Sequence, residues 1–318
     1  MNATQANRVA DGPASERIHL HPFTMEQVKT FVEAKDDLVS GKKNFIVSGL
    51  PGAAFESLRR VPYSLSMLCE MDASNDEGIR FPQLPFGETM DIAYLAELFV
   101  NDVIAAQQRK TEKKKDCGHY MDVFSSIAFR MLKCGSATLR LCEVQVLVDD
   151  SDEMCMFLVP QDMEDPNCTC RWKYSLLMTY FAAFYLVEHF NAVEEIEHAF
   201  SLSRPRVLKC FEHLIEKRER ENDGKRIDVY SCFESCFDKL VYDRNDTLHT
   251  RIVASNALAL LGAIKPRKLQ VNLAFATVVD CNLDNVHFGT SDIRGTRFIN
   301  CSLKNSIMFD AVNAKMDK

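Results

Sequence analysis

Twelve cysteines, eight histidines and two glycine–lysine pairs are the residues of this 318-residue sequence best equipped for chemistry. Their spacing decides which chemistry is open to them. A structural zinc needs two ligand pairs in register, yet Cys168-x-Cys170 and Cys232-x-x-x-Cys236 are not joined by a second pair at ligand spacing. His19 and His21 flank Leu20 on an extended segment, while His189, His198 and His213 lie on stretches read as helical, too far apart for one-turn pairing. These are read as structural cysteines and surface histidines, with no metal site. Phosphate binding needs a G-x-x-x-x-G-K-[ST] run, whose amides and lysine neutralise the oxygens. Neither Gly41-Lys42 nor Gly224-Lys225 has a glycine five residues earlier, and Ser48-Gly49-Leu50-Pro51-Gly52 lacks the lysine. No serine sits in a nucleophile elbow and no glycine-rich dinucleotide loop follows a strand. The expectation is a chain with no catalytic residues and no cofactor.

Composition sets the frame in which such residues would be held. With 47% apolar residues, 26% charged and only 12 Gly and 10 Pro, the chain has the makings of a packed core, and its length allows about two domains. A net charge of −7 gives no global attraction to phosphate or an anionic membrane surface, so neither nucleic acid nor membrane is expected as a partner. The most apolar run, residues 176–187 (LLMTYFAAFYLV), is bounded by Lys173 and Glu188 and is shorter than the roughly twenty residues of a span, so it reads as a buried helix. The modest cysteine count and the polar start imply a reducing, cytoplasmic compartment. Residues 1–16 lack periodicity and read as a disordered leader or a scar where a longer protein has been cut.

Helical patterns follow in series. Thr24 and Gln27 have capping-box spacing ahead of Val28, Phe31 and Val32, which predicts a helix beginning near Thr24. Further helices are predicted at residues 54–60, 63–70 (after Pro62) and 90–108. The run 109–115 carries five cations without an aromatic and reads as a solvated linker. Beyond it a helix at 120–132, two short strands at 144–148 and 154–159, and a helix at 173–190 suggest a winged-helix unit. Helical patterns return at 192–217 and 248–264, separated by the charged stretch 216–225 and a segment at 227–246. The implied organisation is a leader at 1–16, a helical domain at 17–108, a basic linker at 109–116, a winged-helix-like domain at 117–190, a helical arm at 191–264 and a repeat segment at 265–318.

The last fifty residues have a period of five. Leu273, Val278, Leu283, Phe288, Ile293, Phe298, Leu303 and Met308 are all large and apolar. Two places before each stand Val271, Ala276, Cys281, Val286, Ser291, Thr296, Cys301 and Ser306, all smaller. One pentad per side of a square coil meets this pattern: large residues fill the centre, small ones pack near the corners, and coils stack about 4.8 Å apart. These residues resemble the pentapeptide-repeat family, right-handed parallel β-helices with an A(D/N)LxX-like unit. Ser291, Thr296 and Ser306 depart from its alanine, and the pattern breaks at Asn313. Eight pentads make two coils, too few to fold alone, so the preceding helix at 252–261 is expected to cover one open end. The segment from residue 271 onward holds five Asp and five Lys or Arg, which argues against an acidic mimic of duplex DNA.

The helical body resembles a second family. Trp172-Lys173-Tyr174-Ser175-Leu176-Leu177-Met178-Thr179-Tyr180-Phe181-Ala182-Ala183 looks like the F-x-H-x-x-F-x-E-Y/F-F-A-A signature that ends the winged helix of NACHT-type STAND signalling ATPases. Residues 21–28 are similar to the start of that family's helical lid, 60–69 to its adenine-facing proline segment with Pro62, and 94–100 to its later lid helix. The stretch 254–258 leading into pentads resembles NACHT proteins that end in pentapeptide repeats. The resemblance implies a winged helix that helps hold a closed ADP form. The histidine expected to touch the terminal phosphate of ADP falls at Tyr174, however, and the later acidic residue at Thr179. Residues 144–153 superficially resemble a magnesium-holding strand, but they lie downstream of the lid and read as an acidic hairpin turn in the wing. The implied function is a non-catalytic interaction or regulatory module without the nucleotide-binding core, whose partners are proteins, among them full-length relatives. Two alternatives stand beside it: a fragment or incomplete gene model of a full ATP/ADP-switched protein, and a stand-alone structural scaffold.

Overall fold

The computed structural model describes residues 23–35, 47, 62–71, 92–110, 115–148, 151–161, 167–242, 247–264, 269–308 and 315–316. The chain forms two compact units, Met1–Thr89 and Met90–Lys318. The sequence groups residues 90–108 with the first hundred, but that helix belongs to the second unit. The helix expected at 54–60, the leader, His19, His21, Gly41-Lys42 and residues 48–52 all lie outside the described residues.

In the first unit, α1 (Met25–Glu33) starts where the capping box sets it: Thr24 Oγ accepts from the Gln27 amide at 3.2 Å, and the Thr24 amide donates to Gln27 Oε1 at 2.8 Å. Its Val28 and Val32 pack with Leu65 and Cys69 of α2 (Pro62–Glu70), flanked by Phe23, Met25, Phe31 and Val47.

The second unit is mainly helical, with small sheets. It opens on α3 (Ile92–Lys110), which runs through the first two cations of the basic run. Lys115, the last of that run, reaches Glu153 at 3.0 Å. Asp116 caps α4 (Cys117–Lys133), bonding the His119 amide at 2.7 Å. Then come β1 (Thr138–Arg140), α5 (Leu141–Gln145), α6 (Ser151–Met154), β2 (Leu158–Pro160), β3 (Thr169–Trp172) and α7 (Ser175–Glu188). The strands form one antiparallel sheet in the order β1-β3-β2, with Leu139 opposite Cys170 and Val159 opposite Arg171.

Two expectations fail in this region. The alternating run 144–148 is the end of α5 and a turn. Glu143 caps that helix by accepting the Arg140 amide at 3.1 Å, which leaves Val144 buried and Val146 80% exposed. A short apolar run cannot settle helix against strand by period alone. The acidic residues Asp152 and Glu153 accordingly lie in the first turn of α6, which begins at Ser151, rather than in a hairpin turn.

The sheet and helices meet over an aromatic core. Phe124, Phe157, Trp172 and Phe181 lie with ring centroids 4.8–6.2 Å apart, and Trp172 Nε1 points at Met131 Sδ at 3.0 Å. Helix α7 is apolar on every side and is buried between α4 and a later helix at Arg206–Glu221. No helix among the described residues is long and apolar enough to cross a membrane.

The stretch read as one helix over 192–217 is broken. A 3-10 turn (Phe190–Glu195) and the short α8 (Phe200–Ser203) precede α9 (Arg206–Glu221), because Pro205 pushes Arg204 out of helical geometry, to φ −141° and ψ 61°. The segment 227–246 forms α10 (Val229–Tyr242), and α11 (Leu248–Ala263) follows.

Beyond α11 the backbone pairs in parallel with itself at an interval of twenty residues, or four pentads. β4 (Thr277–Val279) lies against β5 (Arg297–Ile299), and single bridges join Asn272 to Asp292, Asn282 to Ser302 and His287 to Ile307. The interval shortens past the expected break, where Arg297 lies opposite Lys315 of β6 (Lys315–Met316). Corners recur at positive φ: Asp280, Asn285, Gly295, Asn300 and Asn305 tolerate it, and Phe275 (φ 61°) is the exception.

Candidate functional site

Pro62 is the first residue of α2, in the first unit, and its side chain lies outside the described residues. Tyr174 belongs to the second unit, where it takes the N-cap position of α7 with an extended backbone and no side-chain capping bond. Its ring meets Phe99 of α3 edge to face, with centroids 5.6 Å apart. Thr179, at the other diverged position, is buried, and its hydroxyl donates to the Leu176 carbonyl at 2.7 Å. A carboxylate there would have to lose its water without a compensating partner.

The repeat residues divide by depth. Leu273, Val278, Leu283, Phe288, Ile293 and Phe298 are buried, whereas Leu303 and Met308 are half-buried. The polar residues in the small column have a definite task. Thr296 Oγ1 donates to the Leu273 carbonyl (2.7 Å), Ser306 Oγ to Leu283 (2.7 Å) and Ser291 Oγ to Leu269 (3.0 Å), while Cys301 Sγ lies 3.6 Å from the Val278 carbonyl. Thr296, Ser306 and Ser291 thus bond carbonyls 22 or 23 residues earlier in the chain, which an alanine could not do, while Cys301 Sγ lies nearer the Ile299 carbonyl, at 3.4 Å. At the helix-covered end Ser255 of α11 takes over: its Oγ accepts from the Val279 amide at 3.0 Å, and its carbonyl lies 3.3 Å from Cys281 Sγ. Burial pushes the Cys301 thiol up to about 11, so it is a poor nucleophile.

Sequence reasoning missed the polar cluster that joins α3 to α9. His213, read as a surface residue, is 9% exposed, and its Nε2 lies 2.6 Å from Glu97 Oε2. Lys217 Nζ donates to Glu97 Oε1 at 2.6 Å, and the Tyr94 ring stands edge-on to His213. Burial by itself pushes the Glu97 carboxyl up, but the hydrogen bonds from His213 and Lys217 outweigh it and hold the group at about 2. With both oxygens engaged and the charge fixed, Glu97 anchors two helices and is poorly placed to exchange protons with a substrate. The available signal was His213 and Lys217 one turn apart on an amphipathic helix; their partner, 116 residues away from His213, was not.

His198 lies on an irregular stretch rather than a helix, and His189 is an exposed C-cap. Cys168, Cys170 and Cys236 are buried. Among the described residues no group of three or more His, Cys, Asp or Glu side chains could hold a metal ion. Glu153, within the run that superficially resembles a magnesium-holding strand, is bound to Lys115. No protein-family model matches the sequence, and no curated protein matches it at a significant level.

Proposed function

We propose that this chain is a non-catalytic protein-interaction or regulatory module, built like the helical lid, winged helix and arm of a NACHT-type signalling protein and ending in a short right-handed pentapeptide β-helix. The observation that carries the reading is the order of elements over residues 117–188: helix, strand, two short helices, two strands, helix, with the central strand formed last. That is the order of a winged helix, and the W-x-Y…Y-F-A-A run falls on its last strand and following helix. The parallel pairing at four-pentad intervals, with small residues bonding the tier before, supports the β-helical end.

A module of this kind works by touching other macromolecules in the cytoplasm, because its sequence has no loop to grip a nucleotide's phosphates. Affinity purification from native cytosol should recover proteins carrying an intact nucleotide-binding core. Recovery of the monomer alone would count against the reading. Tight, magnesium-dependent uptake of ATP by the purified 318-residue chain would overturn the second half of it.

A further inference from the structure

Residues 196–205, which include the short α8, form an elbow between the 3-10 turn and α9, and polar contacts tie it to three helices. From α11, the fully buried Asn256 donates Nδ2 to the His198 carbonyl at 2.9 Å and accepts the Phe200 amide at 3.1 Å. Toward α4 and α7, Arg204 donates to the Ser136 carbonyl at 2.8 Å and lies 3.4 Å from Met178 Sδ. The His198 ring closes over Gly135 at the end of α4, where a Cβ would come within 3.6 Å of it.

That ring is bonded at one nitrogen only. It bonds the Lys133 carbonyl, while Nε2 is enclosed and has no partner among the described residues. A carbonyl can only accept, so Nδ1 carries the proton and Nε2 keeps a buried lone pair. The charges around it offer no acceptor for a second proton. Arg204 is cationic. Lys133 on α4 is paired with Glu195 at 2.8 Å, its neighbour Cys134 is exposed, and Glu197 is exposed between the buried Ile196 and the half-buried His198. α11 contributes the neutral amide of Asn256, and α7 the thioether of Met178. Burial first, and the Arg204 guanidinium second, hold the His198 imidazole below its ordinary range.

We propose that the elbow is an acid-sensitive joint: a proton taken up at His198 Nε2 sets a second positive charge beside Arg204 with no acceptor, and the 196–205 segment lets go of the end of α4. The sign follows from the direction of the shift. A base whose closed-state affinity for protons is lowered leaves the closed form intact above the ordinary imidazole value and weakens it as pH falls below that value. What opens is the junction between the helix-and-sheet portion ending in α7 and the arm from α9 to α11, leaving the aromatic core in place. The joint stands independently of any interaction with a relative.

Amide hydrogen exchange on the full chain at about pH 7.5 and about pH 5.5, corrected for intrinsic rates, tests it. Peptides covering 131–136 and 196–205 should exchange several-fold faster at the lower pH, with α7 unchanged. In His198→Gln, whose amide can still donate to Lys133 but takes no proton, that acceleration should vanish. Equal acceleration in wild type and variant, or none in wild type, would overturn the joint. Should the variant not fold, the His198 Cε1 proton resonance of wild type decides: titration below a free imidazole is expected, and titration at or above it refutes the proposal.

Discussion

Single side chains decide how polar atoms inside this protein are satisfied. Thr296 was legible as a departure from alanine, but its donation to the Leu273 carbonyl was not, because that carbonyl lies 23 residues away. Thr296→Val keeps the shape and removes the donor; because the Ala276 amide still bonds the Leu273 carbonyl at 2.9 Å, chemical denaturation should show a loss of about 0.5–1.5 kcal/mol, the net worth of one hydrogen bond. Glu97 carries a larger consequence. Its carboxyl is held at about 2 against an ordinary 4.5, so its contribution is fully present above the ordinary value and is lost as pH falls through about 2. Glu97→Gln should lower stability at neutral pH by about 3 kcal/mol and flatten the acid limb of the stability–pH profile.

Helices were legible where the ends carry their own signals, as at Thr24 and after Pro62. The same reasoning would have found α10, whose buried Val229, Phe233, Cys236 and Phe237 have helical spacing. The run 144–148 misled because alternation over five residues also fits two buried valines, Val144 and Val148, either side of the exposed Val146 on a short helix and its turn. Contact between α11 and the repeats was expected from the instability of two lone coils, and the helix does lie against β4. Its closeness to the next part of the repeats depends on Gly262, where a Cβ would come 2.7 Å from Val286 Cγ2. Gly262→Ala should therefore destabilise the chain by roughly 1–3 kcal/mol despite the better helix propensity of alanine. Thermal unfolding monitored at the repeat end would register it.

Taken as a whole, the chain divides near residue 90, and α3 travels with the second unit. A fragment from residue 90 onward should melt cooperatively with its Glu97 contacts intact. One starting at residue 109 leaves His213 and Lys217 without their carboxylate and uncovers the α7 and α9 faces, and calorimetry should show a much lower, broadened transition. The amino-acid order by itself determined the features that depend on near neighbours: the five-residue alternation of large and small side chains, the capping box and the buried apolar helix. Tertiary structure alone decided which helix α3 joins, which histidine is buried and which hydroxyl meets which carbonyl. Those outcomes rest on pairs tens to more than a hundred residues apart, and no local periodicity records a partner at that distance.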